Sequence, residues 1–141
     1  MTGRRYPLLI VLLGWLACGL IACGGRSPAS PTAVVGTPFV LGVGEGRVLP
    51  DGARVTFVGV ENDSRCPADA VCITGGDAIV RTRIVTGGTT RDAELHTGDE
   101  RRASVTVGAY RLALTAVEPY PFSSRTIDPR EYRVTLVISA R

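Results

Sequence analysis

From residue 37 onward, apolar and polar positions alternate with a period of two, the pattern of strands that are buried on one side. Phe39, Leu41 and Val43 lead into a Gly44-Glu45-Gly46 turn, and Pro50-Asp51-Gly52 supplies the residues of a second turn. Arg54 to Val60 is a run of branched and aromatic residues that predicts a strand. Between Asp77 and Val85, one row holds Ala78, Val80, Thr82 and Ile84. The other row holds Ile79, Arg81, Arg83 and Val85, and its arginines assign it to water. Gly87-Gly88 reverses the chain, and Ala93 with Leu95, then Val105 with Val107, mark two weaker strands. Tyr110, Leu112, Leu114 and Ala116 alternate with Arg111, Ala113, Thr115 and Val117. Tyr132, Val134, Leu136 and Ile138 alternate with Arg133, Thr135 and Val137. Helical stripes are lacking, so about seven or eight short strands predict an all-β domain over residues 37–141, an antiparallel β-sandwich or a partly open barrel.

The first residues follow a different pattern. Arg4 and Arg5 precede an apolar run from Leu8 to Ala17, which continues less purely to Ala22. A charged start, a short apolar middle and small residues before a cut site make a secretory leader. The run is short for the ~20 residues of a membrane span. Arg4-Arg5 also hints at a twin-arginine signal, although the residues around the pair suit general secretion better. Leu20-Ile21-Ala22-Cys23 resembles the lipobox of bacterial lipoproteins. The resemblance implies a leader over 1–22, cleavage before Cys23, diacylglycerol on its sulfur and an acylated amine, palmitate being one such acyl group. Cys18 is a poorer match, because Trp15 stands where leucine is wanted. Residues 23–36, with Gly24-Gly25 and Ser27-Pro28-Ala29-Ser30-Pro31, then form a lipidated cysteine and flexible tether. The implied location is a cell membrane or outer membrane, with the domain outside the cytoplasm. Gly24 carries no acidic retention signal, which favours the outer membrane of a two-membrane cell.

Charge narrows the partners. All 16 basic residues are arginine, and removing Arg4 and Arg5 leaves 14 against 13 acids. A nearly neutral chain with interspersed signs gives no electrostatic case for nucleic acid. Trp15, the single tryptophan, belongs to the leader. The expected partners are the membrane, through Cys23, and an envelope protein, peptide or glycan.

Once Cys23 is acylated and the leader removed, Cys66 and Cys72 are the remaining cysteines, and an exported chain permits a disulfide between them. Asp63-Ser64-Arg65-Cys66-Pro67, then Cys72 and Gly75, resembles a family of uncharacterised bacterial secreted proteins and lipoproteins with a D-S-R-C-P-x4-C-x-W-x-G motif. Tyr110 to Leu114, Glu118-Pro119 and Tyr132 to Leu136 extend the likeness over roughly residues 53–138. Thr74 replaces the tryptophan of the motif. The family brings no established activity; the resemblance implies fold and location only.

Candidate chemistry is sparse. Neither a Gly-x-Ser-x-Gly elbow nor a phosphate-cradling glycine loop occurs, and with one histidine and no lysine the usual nucleophile–base pairs are nearly absent. Zinc needs several nitrogen or sulfur ligands. Glu61-Asn62-Asp63 and Asp99-Glu100 match no calcium-loop spacing. His96 on a polar strand face reads as an ordinary surface residue. The candidate recognition residues are therefore Asp63, Ser64 and Arg65 beside the disulfide, and Tyr120 and Phe122 in the proline-stiffened Glu118-Pro119-Tyr120-Pro121-Phe122 segment. These imply no cofactor, no metal and no catalysis, but a lipid-anchored binding or structural module. The alternatives are an inhibitor presenting the Cys66–Cys72 loop to an extracellular hydrolase and, behind it, a hydrolytic enzyme using paired carboxylates.

Overall fold

The computed structural model describes residues 30–141. The leader, Cys23 and the first tether residues lie outside the described residues. Eight strands form: β1 (Phe39–Gly42), β2 (Gly46–Val48), β3 (Arg54–Asp63), β4 (Ala78–Thr86), β5 (Thr89–His96), β6 (Ser104–Val107), β7 (Tyr110–Glu118) and β8 (Arg133–Ala140). One four-stranded antiparallel sheet has the order β2-β3-β4-β5 and the other β1-β8-β7-β6. The two sheets face each other without closing, so the fold is a sandwich and not a barrel.

The inward rows fill the space between the sheets. Val55 and Phe57 of β3, with Val80 and Ile84 of β4, meet Leu112 of β7 and Val134, Leu136 and Ile138 of β8, all essentially solvent-free. Each such side chain contributes roughly 1.5–3 kcal/mol by burial. Thr82 shares this row, and its hydroxyl donates to the Ala93 carbonyl at 3.0 Å, so its burial leaves no donor unpaired.

Two departures from simple alternation matter for the site. In β7, Leu114 pairs with Leu136 but Ala116 pairs with Thr135, so Thr115 is an inserted residue. Such a bulge flips the facing of everything after it. Val117 is buried where a strict period of two puts Ala116. In β3, register shifts beside Val58 and Glu61 carry the strand on to Asp63, so Glu61-Asn62-Asp63 ends a strand that the sequence pattern stopped at Val60.

The folded unit also opens earlier than residue 37. Thr32 bridges Val48 in parallel, the Ala33 amide donates to the Val48 carbonyl at 2.7 Å, and Ala33 is buried in the core. Thr32 and Ala33, assigned to the tether by composition, therefore edge the first sheet. No helix among the described residues is long and apolar enough to cross a membrane.

Candidate functional site

The β3–β4 connection and the β7–β8 connection leave the same end of the sandwich. Ser64 and Cys66 amides donate to the Asp77 and Gly75 carbonyls, which prolongs the β3–β4 pairing beyond the sheet. Gly76 makes this possible. Its φ is +70°, and a β-carbon there would run into the Ser64 carbonyl, so only glycine fits. Beyond this neck, Cys66 and Cys72 are joined by a disulfide with Cα atoms 5.9 Å apart.

Arg65 ties this neck to the other connection. Its side chain is 6% exposed and that of Asp63 is 9% exposed. The guanidinium donates to both Asp63 carboxylate oxygens, at 2.8 and 2.7 Å, and to the carbonyls of Val117 and Pro119. It also lies over the Tyr120 ring, 4.9 Å from the centroid. The Tyr132 hydroxyl donates to Asp63 at 3.0 Å. Burial pushes the Asp63 carboxyl up, but the hydrogen bonds and charge of Arg65 outweigh it and hold the group below its ordinary value. Burial, reinforced by the Asp63 carboxylate, pushes the Tyr132 phenol up to about 12. For Arg65, burial works against the charge, and the Asp63 bonds more than offset it, raising the guanidinium further.

A second set of bonds joins the loops further out. The Ala68 amide donates to the Pro121 carbonyl at 2.9 Å, and the amide and hydroxyl of Ser123 both donate to Asp69. Arg125 grips Glu131 through both carboxylate oxygens, and Glu131 and Asp128 cap the 3-10 turn Pro129–Glu131. The two candidate segments are therefore one bonded unit.

Within it the five candidate residues divide. Asp63 and Arg65 are buried and satisfied by one another, and the Ser64 hydroxyl is engaged with the Asp77 backbone. These three hold the loops in place. Tyr120 and Phe122 are half-exposed, at 45% and 51%. Val71 and Ile73, which flank Cys72, are fully exposed, and the sequence reading passed over both. Two branched apolar residues on either side of a disulfide cysteine, where polar turn residues are usual, were the available signal. Thr74 is also exposed. A cleft of about 510 Å³ adjoins the unit, with Arg65, Thr97, Glu118 and Tyr120 in its wall.

His96 is not a surface residue. It is 4% exposed, and its Nδ1 lies 2.6 Å from Asp77, which also accepts from Thr97 and the Gly98 amide. Its Nε2 is enclosed without a hydrogen-bond partner among the described residues. Burial pushes the Asp77 carboxyl up, and the Gly98 amide and His96 more than reverse this. The group acts as a clasp between the β3–β4 neck and the β5–β6 connection. No set of three or more His, Cys, Asp or Glu among the described residues is placed to hold a metal ion.

No family model matches the chain, and no curated protein or solved structure matches it.

Proposed function

We propose that this chain is an exported lipoprotein, anchored at Cys23 after removal of residues 1–22, whose sandwich is a non-catalytic module that binds an envelope protein, peptide or glycan. One observation carries the binding reading. The loops around residues 66–73 and 119–125 are bonded into one unit, and that unit turns Val71, Ile73, Tyr120 and Phe122 to solvent. Apolar side chains on a pre-ordered loop lose little entropy when covered, which favours binding. The disulfide supports an oxidising compartment. The leader and the Leu20-Ile21-Ala22-Cys23 resemblance support the anchor.

A photo-crosslinking residue placed at Ile73 in cells tests the reading. The expected result is one discrete adduct that disappears in the Tyr120→Ala/Phe122→Ala variant and is absent with the crosslinker at Arg111, on the exposed face of β7. Equal, diffuse labelling from both positions contradicts it.

One observation favours a second reading, an inhibitor of an extracellular hydrolase. Val71, inside the loop closed by Cys66 and Cys72, and Ile73, just beyond it, are fully exposed, a shape suited to entering a cleft. This reading predicts inhibition of a protease panel that reductant abolishes.

A further inference from the structure

The side of the sandwich formed by β1, β2 and the start of β3 carries a cleft of about 450 Å³ walled by Ser30, Val40, Glu45, Arg47 and Arg54. Arg54 donates to the Ser30 hydroxyl at 2.7 Å, and Arg47 lies over the Phe39 ring at 5.7 Å from its centroid. None of the ion pairs among the described residues uses Arg47 or Arg54. Glu45, an acid in that wall, accepts from the Gly42 amide at 2.8 Å. Val40, in the same wall, is exposed. Two guanidiniums outside any of these ion pairs, in one wall with the exposed Val40, suit the boundary between phosphate headgroups and acyl chains.

Chain length decides the occupant. Ser30 lines the cleft, and residues 24–29 are all that separate it from Cys23. Fully extended, that stretch spans at most roughly 25 Å, at ~3.3–3.6 Å per residue. A domain of ~100 residues has a radius of gyration near 13 Å. An anchor at Cys23 thus holds this side of the sandwich within a short reach of the leaflet, and attraction between its arginines and anionic headgroups acts over a Debye length of about 8 Å. From this we infer that the Arg47–Arg54 cleft, with Val40 in its wall, forms a membrane-docking surface, which seats on the phosphates of anionic lipids in the leaflet that holds the anchor. This rests on the lipoprotein reading. It leaves the Val71/Ile73 loops, which depart from the ends of β3 and β7, to face a partner.

The test uses the full chain, purified in detergent, checked by intact mass and reconstituted into vesicles. Cleavage of residues 1–22 removes Trp15, so Val40→Trp gives a single reporter. In vesicles of phosphatidylglycerol with brominated chains, its emission shifts to the blue and is quenched. In brominated phosphatidylcholine both effects are lost. Arg47→Glu with Arg54→Glu abolishes them, the milder Arg47→Gln with Arg54→Gln weakens them, and a Phe122→Trp reporter stays unquenched throughout. Acylated protein whose Val40→Trp emission is unchanged on phosphatidylglycerol, or is quenched equally after charge reversal, overturns docking alone. A mass showing Cys23 unmodified overturns the anchor and the docking with it.

Discussion

Arg65→Ala removes the side chain that holds both connections, and its cost follows from burial. The guanidinium donates to both Asp63 oxygens and to two backbone carbonyls, in a setting where both partners are less than a tenth exposed. Truncation leaves the Asp63 carboxylate buried with Tyr132 and the residue 65 amide as its remaining donors. Breaking a buried pair from one side costs about 3–5 kcal/mol. That is a fifth or more of the 5–15 kcal/mol typical of a domain. At about 4 °C per kcal/mol for a domain of this size, the melting temperature falls by roughly 12–20 °C. Thermal melts of the full chain at pH 7, followed by circular dichroism, measure it. Arg65→Lys recovers only part of the loss, because an ammonium cannot span a carboxylate and two carbonyls together. A loss of less than about 1 kcal/mol for Arg65→Ala, the scale of an exposed ion pair, refutes the reasoning.

Titration reads the same cluster. Asp63 is held below its ordinary value, so its contribution is present above the unfolded value near 3.9 and is lost as pH falls through the lower folded value. Tyr132 is raised to about 12, so its contribution is present below its unfolded value near 10 and is lost as pH rises toward the folded one. Urea midpoints across pH show both flanks, and Tyr132→Phe flattens the alkaline one while costing about 1.5–3 kcal/mol at neutrality for a hydrogen bond to a charged group. Replacing both Cys66 and Cys72 by serine lowers stability by about 2–2.5 kcal/mol through loop entropy, measured by urea unfolding with the core strands otherwise unchanged in hydrogen exchange. Gly76→Ala is worse than its size suggests, since it combines a positive φ with a clash against the Ser64 carbonyl; exposure of the β3–β4 neck to a protease reports it.

The strand rows were legible wherever each side of a strand meets one environment. Ala78, Val80, Thr82 and Ile84 face the core as alternation requires, and so do Tyr132, Val134, Leu136 and Ile138. The reading slips where the backbone inserts a residue. Thr115 offers nothing to a period-two pattern, yet it reverses the facing of Val117 and presents the Val117 carbonyl to Arg65. Ala33 is too small to signal burial and sits among Ser, Pro and Thr. His96 is buried because Asp77, 19 residues away, supplies a partner for Nδ1, a pairing that no local pattern encodes. At the candidate site, the residue types were readable and their division of labour was not. Whether Arg65 meets a ligand or the Val117 and Pro119 carbonyls depends on contacts across more than fifty residues of chain.

The intact mass of the protein extracted from cell membranes tests the lipoprotein account most directly. The account predicts a chain that begins at Cys23, carries added acyl mass on that residue, and is two hydrogens lighter for the Cys66–Cys72 bond. A chain that still carries residues 1–22, or an unmodified thiol at residue 23, contradicts it.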